Sequence, residues 1–499
     1  MRALFRFLLL LVVAIGLTAA IPAIPDFLPA DDADRAAWRN DLTKLENHLA
    51  VAYANFQWTA AARQLDLPAL HATADSALAA ASNRHAARRA FRTLVGAFDD
   101  GHLRVSPPDH PIVRLATRAW RGSGAPIEGD ASAASACRRM GFDREENGFG
   151  LAFDEMAGYT PIASAPFRAG IVQGPGGERV GVLRIAAFGE DRYAAACETV
   201  WNARAAVEAT PCDGGCQDAI WEGVSRSLVA SLAATLERIE AAGARSLIVD
   251  VTGNGGGSGL ADALARELTP VALQGGPVGI IRHPHPLTSL RQQDSVLSAE
   301  LGRSDLAVAQ RSMLESARAR ISATIREVET PCDLSGMWKG EPVSCRQLVV
   351  DGSYSTGVLP YARTEDLAGL RDPASLFHPA SYGYREGVYT GRVIVVMDHG
   401  SASATEQFAA LLRDNNAATI MGERSYGAGC GYTNGGVRLE LASVQMTLHA
   451  PDCARLRASG ENERAGIEPD VPLAWKEAGA RERAALVLEA AASPQASNQ

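Results

Sequence analysis

Hydrophobic positions fall into two rhythms along this chain, and the change of rhythm divides it. From 31 to 98 they recur at helical spacing. Asp31 and Asp32 open the first helix, Leu42, Leu45 and Leu49 share one face, and alanine-rich stretches at 73–81 and 86–97 continue the pattern. Residues 106–178 carry more Pro, Gly and Ser with weak periodicity, and predict an irregular linker. Strand signals begin at Val180–Phe188. A helix follows, with Val224, Leu228, Leu232, Leu236 and Ile239 inward and Gly243 as its stop. Ser246–Val251 is a short apolar run of the kind a buried strand uses. It enters the turn Gly253–Gly259, then a helix carrying Leu260, Leu264 and Leu268. This alternation stops from 270 to 390, where one helix over about 297–328 is predicted. It resumes with the strand Arg392–Met397, a helix from Ser401 with Phe408, Leu411 and Leu412 inward, and a strand at Ala418–Met421. Alternating Val437, Leu439, Leu441 and Val444, Met446, Leu448 predict a hairpin, and a helix over 476–491 ends the pattern.

Seven segments follow: 1–20 a leader, 21–105 a helical domain, 106–178 a linker, 179–270 the first half of an α/β core, 271–390 an insertion, 391–475 the second half, and 476–499 a helix and tail. The leader rests on Arg2 and Arg6 before the apolar run Leu8–Ile15, then Thr18–Ala20 as a cleavage site. The run is short for a bilayer span, so export without stable membrane insertion is expected. Eight cysteines, none in the leader, agree with an oxidising compartment. Short loops favour Cys332–Cys345 and Cys430–Cys453 as pairs. Cys212 and Cys216 lack a following Cys/His pair at zinc spacing, so no metal is expected.

The net charge of −9 is dispersed, and no basic patch is interleaved with aromatics, which argues against nucleic acid. Chemistry gathers at two strand–turn–helix junctions, Gly253–Gly259 and His399–Glu406. Glycine-rich turns at helix N-termini present N–H groups to anions or oxyanions. The dinucleotide fingerprint fails because Ser258 takes the last glycine position, and no G-K-[ST] exists, so no phosphate cofactor is expected. At the second junction Ser403-x-x-Glu406 reads as a capping box or as a nucleophile with its neighbour's N–H behind it. Ser401 is the rival hydroxyl, and the G-x-S-x-G elbow is absent.

These junctions resemble those of the C-terminal processing (tail-specific) peptidases, which include the tricorn-like proteases. Asp250-Val-Thr-Gly-Asn-Gly-Gly-Gly257 is similar to that family's D-[LV]-R-x-N-x-G-G turn, and Ser403-Ala-Thr-Glu406 to its nucleophile segment. Gly422-Glu-Arg-Ser-Tyr-Gly427 is similar to G-E-x-[ST]-[FY]-G, and Gly466-Ile-Glu-Pro-Asp470 to G-[IV]-x-P-D. The resemblance covers roughly 180–270 and 390–475. It implies an α/β fold with a Clp protease/crotonase-like β-spiral core, a polypeptide substrate and no cofactor. It also has departures. The family lysine position is Ala428, Thr252 replaces an arginine, and no peptide-tail module is recognisable in 106–178.

The tricorn-like branch takes a histidine base from a preceding helical domain. Here that domain ends in Asp99-Asp-Gly-His102, with Gly101 where the branch carries an assisting serine. His102 is therefore the leading base, ahead of His399 and His449. His48, His71 and His85 read as helix or turn residues, and His283 and His285 as a loop. The resemblance also points to Glu463 as support for the histidine. The resulting expectation is an exported serine peptidase: Ser403 as nucleophile, His102 as base, Glu463 as its support, and the N–H groups of Gly256 and Ala404 for the oxyanion. A catalytically inactive binding protein on the same fold, or an esterase-type acyl hydrolase, are the alternatives. Oligomeric state is not legible.

Overall fold

The computed structural model describes residues 24–107, 126–146, 148–205, 211–433 and 435–493. The predicted leader, part of the predicted linker and the last six residues lie outside these. In chain order the strands are β1 (Arg104–Ser106), β2 (Thr160–Ala163), β3 (Ala169–Gln173), β4 (Arg179–Arg184), β5 (Ser246–Asp250), β6 (Pro277–Ile281), β7 (Leu348–Tyr354), β8 (Arg392–Met397), β9 (Thr419–Gly422), β10 (Val437–Leu441), β11 (Met446–Ala450), β12 (Cys453–Arg455) and β13 (Val471–Pro472).

A seven-stranded sheet in the order β13-β9-β8-β5-β4-β3-β2 forms the α/β core. From β4 to β13 its neighbours run parallel, while β2 and β3 add antiparallel strands at one edge. Both faces are covered, which is why β5 and β8 are almost uninterruptedly apolar. Leu247, Val249, Val393 and Val395 meet Val224, Leu228, Leu232 and Leu236 of the helix Gly214–Ala241 on one face. Ile248, Ile394 and Val396 meet Trp475, Val487 and Leu488 on the other. The architecture is a Clp protease/crotonase-like α/β core.

The helices Asp32–Ala52, Phe56–Ala62, Leu67–Ala79 and Arg84–Gly96 do not form a self-contained bundle. Trp38, Leu42, Leu45 and Leu49 share one core with Leu441, Met446 and Leu448 of the β10–β11 hairpin and with Trp338 of the insertion. β1 then joins that hairpin as a third strand, pairing Arg104 with His449. The helical segment is thereby tied to the second half of the α/β core.

Two expectations change. The segment 106–178 supplies β2 and β3 to the main sheet, rather than acting only as a linker. These strands are short, β2 is the edge strand, and Pro161, Gly170 and, between the two strands, Pro166 interrupt the pattern, which hides their period. The single helix over 297–328 is two, Pro284–Leu301 and Val308–Val328, because the chain turns at Gly302. Within the insertion β6 pairs with β7 and with β12 of the core's second half. Four disulfides are present, Cys137–Cys197, Cys212–Cys216, Cys332–Cys345 and Cys430–Cys453. No helix of the described residues is long and apolar enough to cross a membrane.

Candidate active site

β5 and β8 are parallel neighbours, with Asp250 opposite Val396, so the turns at their C-terminal ends emerge side by side. Hydrogen bonds stitch the turns together. Asp398 accepts from Gly253 N–H at 2.8 Å and Gly400 N–H at 2.9 Å. Ser401 Oγ donates to Val251 C=O at 2.9 Å, and Thr405 Oγ1 to Asn254 C=O at 2.9 Å. The buried Asp250 carboxylate accepts from Thr252 N–H and Oγ1 and from the Gly150 and Leu151 N–H groups. Arg184 of β4 brings a guanidinium to Asp250 at 3.1 Å. Gly256 lies so close to the second turn that a Cβ there would sit 2.7 Å from Ala402 O and 2.8 Å from Ser403 Cβ. Its φ of +101° also suits only glycine.

Ser403 sits at φ 58°, ψ −115°, immediately before the helix Ala404–Asp414. This is the first central position of a type II′ turn, a conformation a non-glycine residue adopts at a cost of about 1–3 kcal/mol. The capping box forms only by half. Glu406 Oε2 accepts from Ser403 N–H at 2.9 Å, but the Glu406 N–H bonds to Ser403 C=O rather than to Oγ. The hydroxyl is left to face His102.

His102 arrives from the end of the helix Arg84–Gly96. Phe98 anchors this segment against Tyr53, Phe56 and Trp338 at ring distances of 5.8, 5.9 and 6.3 Å. Aromatic pairs of this kind contribute about 0.5–1.5 kcal/mol each beyond their burial. Buried Asp100 accepts from His102 N–H at 2.9 Å and from Tyr53 Oη at 2.8 Å, which fixes the turn. His102 Nε2 lies 3.5 Å from Ser403 Oγ. That is the outer limit of a hydrogen bond, and such contacts tighten in reacting complexes. On the other side of the ring Nδ1 lies 3.2 Å from Ala428 C=O. A carbonyl only accepts, so Nδ1 carries the proton and Nε2 presents its lone pair to Ser403. Burial lowers the His102 pKa from the ordinary imidazole range. Asp100 and the Ala428 carbonyl oppose the shift, while Arg455 and Arg464 add to it.

The loop around Ala428 is built by Glu406. Its buried carboxylate accepts from Ser425 Oγ at 2.6 Å and from the Gly427, Ala428 and Gly429 N–H groups at 2.6, 2.8 and 3.2 Å. Ala428 thus contributes only main chain to the site. Gly431 faces the imidazole, and a Cβ on it would lie 2.8 Å from His102 Cδ2 and 3.0 Å from Nε2. Tyr432 Oη donates to His102 C=O.

Glu463 does not support His102. Its buried Oε2 accepts from Arg455 Nε at 2.6 Å, and burial raises its pKa. Arg455 in turn donates from Nη2 to Ser403 C=O at 2.8 Å and to Gly429 C=O at 2.9 Å. The carboxylate beside His102 is Asp100, 4.0 Å from Nδ1, and Arg464 joins it at 3.4 Å while also donating to Asp99 and Gly427 C=O. The expected oxyanion donors also separate. Ala404 N–H is unengaged at the helix start among the described residues, but Gly256 N–H already donates to Asn254 Oδ1 at 2.9 Å.

The remaining candidates sit elsewhere. Ser401 is fully buried and bonded on both sides, to Val251 C=O and from Asp398 N–H. His399 packs on Tyr426, and His449 lies in β11 between Arg104 and Arg438. His283 caps the helix Pro284–Leu301, so the predicted loop is a helix start, and His285 pairs with Asp452 at 3.0 Å. Among the described residues no group of three His, Cys, Asp or Glu is placed to hold a metal. Sequence reasoning missed Asp100, Arg455, Arg464 and Gly431. Isolated arginines and a single glycine carry no local pattern that would mark them.

Comparison with known proteins bears on the family segment and the fold. The sequence model of Peptidase family S41 matches residues 337–473, which include Ser403, Ala428 and Glu463. The fold is similar to that of mature CPAF, at 14% identity and a TM-score of 0.52, over 89% of this chain and 93% of that one. It is similarly close to mature CPAF complexed with lactacystin, at 15% identity and a TM-score of 0.53, over 92% and 98%. No curated protein matches the sequence. The family match makes the chain a serine-type peptidase, a hydrolase.

Proposed function

We propose that the protein is an exported peptidase that cleaves polypeptides through an acyl-enzyme on Ser403, with His102 as its general base. The reading is carried by one observation: Ser403 Oγ and His102 Nε2 approach to 3.5 Å while Ala428 C=O fixes the opposite ring nitrogen. Ser403 Oγ attacks the peptide carbonyl as its proton passes to Nε2. The imidazolium so formed is stabilised at Nδ1 by the Ala428 carbonyl and by nearby Asp100. It returns the proton to the leaving amine, and water then repeats the sequence on the acyl-enzyme. The tetrahedral oxyanion is held at the N-terminus of the helix Ala404–Asp414, with Ala404 N–H as one donor and the Gly256–Gly257 turn opposite it. Gly256 N–H joins only if it leaves Asn254. Export is supported by the leader pattern of Arg2, Arg6 and Leu8–Ile15 and by the four disulfides.

The test is covalent labelling with a fluorophosphonate followed by peptide mapping. The expected result is one adduct, on Ser403. A protein that degrades polypeptide yet is labelled at another serine would sink the assignment. A protein that is labelled nowhere and cleaves nothing would favour a binding protein on the same fold.

A further inference from the structure

Cys430 lies in the loop that holds the base, and Cys453 in the strand that holds the nucleophile's backbone. We propose that the Cys430–Cys453 disulfide is the bond that positions Ser403 and His102 relative to one another, making turnover conditional on its closure. The proposal rests on these two residues acting as nucleophile and base.

Around Cys430, every neighbour has a task at the site. Ala428 C=O accepts from His102 Nδ1, Gly429 C=O accepts from Arg455, Gly431 backs the imidazole, and Tyr432 Oη binds His102 C=O. This loop belongs to no strand or helix, and Gly427 and Gly429 adopt φ of +83° and +62°. A glycine-rich loop has much backbone freedom to lose, so it needs fixed points. Glu406 supplies one, from the helix that begins at Ser403. The disulfide supplies a covalent one, because Cys453 belongs to β12, paired with β6. Two residues later on β12, Arg455 grips both Ser403 C=O and Gly429 C=O.

The other three disulfides have no such position. Cys212–Cys216 closes a single turn at the start of the helix Gly214–Ala241, and Cys137–Cys197 joins the helices Ala133–Met140 and Ala194–Ala205. Cys332–Cys345 staples the insertion where Trp338 packs on the helical segment. Among the described residues, none of these six cysteines adjoins a group bonded to Ser403 or His102.

Both sulfur-bearing residues are nearly buried, with Cys430 at 9% and Cys453 at 0% exposure. Burial slows thiol exchange at this bond, so opening it takes an excess of a small dithiol. With both cysteines reduced, the core stands but the loop that orients His102 is loose. Oxidation then completes the site, each sulfur losing a proton and an electron to an acceptor disulfide.

The experiment compares full-length wild type, the Cys430→Ser/Cys453→Ser double variant and a Cys212→Ser/Cys216→Ser comparator. The readout is the rate of fluorophosphonate labelling at Ser403 across pH. The comparator is expected to label within about threefold of wild type. The Cys430/Cys453 variant is expected to lose about 10²-fold in the labelling rate constant with little change in reagent affinity, the scale of a small misplacement of reacting groups. Its pH midpoint is expected to move toward the ordinary imidazole value as the ring leaves its buried setting, while its circular dichroism and cooperative melting persist. Wild type unlabelled at Ser403 would overturn the underlying reading, and this proposal with it. Wild type labelled, with the variant equally fast, would overturn this proposal alone. If the variant fails to fold, wild type is reduced stepwise with a dithiol, which is oxidised to its cyclic disulfide as the two cysteines gain protons and electrons. Labelling should fall with the fraction of Cys430–Cys453 opened, as mapped by differential alkylation. Full labelling with that bond open would overturn the proposal.

Discussion

The imidazole of His102 donates from Nδ1 to the carbonyl oxygen of Ala428, 3.2 Å away. The loop around Ala428 thus lies on the far side of the imidazole from Ser403, and Ala428 meets the ring through main chain alone. It offers the ring a main-chain acceptor, and His102, the proposed base, comes from the helical segment. A carbonyl cannot take the proton, so it orients the ring and supports the imidazolium without competing for it.

This arrangement predicts the pH profile. Burial holds the His102 pKa below the ordinary value of about 6.5. Turnover requires the neutral ring, so kcat/KM should rise with pH through a midpoint below that value and be flat from about pH 7. A lysine base would put the rising limb far higher. A titration of kcat/KM from pH 4.5 to 9 with its midpoint above 7 would remove His102 as the base.

Substitution separates the two hydroxyls of the second junction. Ser403→Ala should abolish labelling and leave thermal stability within a degree or two, or raise it, since the strained backbone loses little by the change. Ser401→Ala should keep labelling and lower the melting temperature, because its buried Oγ bridges Val251 and Asp398. The lost hydrogen bonds cost about 1–3 kcal/mol. His102→Ala should lower kcat by about 10²–10⁴-fold with the fold intact.

Glu463 offers a sharper distinction. A carboxylate that supported His102 would raise its pKa, so Glu463→Gln would shift the pH midpoint downward. The structure puts Glu463 on Arg455 instead, and Arg455 on Ser403 C=O. The expected outcome is a lower kcat with an unchanged midpoint. A downward shift of half a unit or more in the rate profile would restore Glu463 to the histidine.

How much of this was legible follows the reach of each interaction. β5 and β8 and the helices after them were readable because apolar runs and glycine turns are local. Ser403 and His102 were readable because motifs around each survive as short strings. The support was not. Arg455 meets Ser403, 52 residues away, and Arg464 meets Asp99, 365 away, through single contacts that leave no period. Glu406 was visible as a helix cap, yet four of its five bonds go to residues 425–429, which only the fold brings near. β2 and β3 escaped because strands of four and five residues, separated by a stretch containing Pro166 and with Pro161 inside the edge strand β2, have no rhythm to detect.

Gly431 tests how tightly the base is held. A methyl group there would lie 2.8 Å from His102 Cδ2, closer than side chains tolerate. The imidazole is the movable partner, so it should rotate away from Ser403 rather than unfold the loop. Gly431→Ala is expected to reduce kcat at least tenfold with KM nearly unchanged and little loss of stability. Undiminished kcat would mean that the ring has more room than its contacts indicate.

Away from the site, Glu267 should govern stability at alkaline pH. It ends the wholly buried helix Leu260–Glu267, is 1% exposed, and its Oε2 has no partner among the described residues. Burial is the main influence, and it pushes the carboxyl pKa up to about 8. The folded protein therefore binds a proton that the unfolded chain has released between about pH 4.5 and 8. Stability from this group is full below that window and is lost as pH rises through it. Glutamine keeps the shape and cannot ionise. Glu267→Gln should thus change the melting temperature little at pH 4.5 and raise it at pH 9. Melting curves of both proteins at the two pH values decide it, since an equal shift at both would mean that Glu267 is ionised throughout.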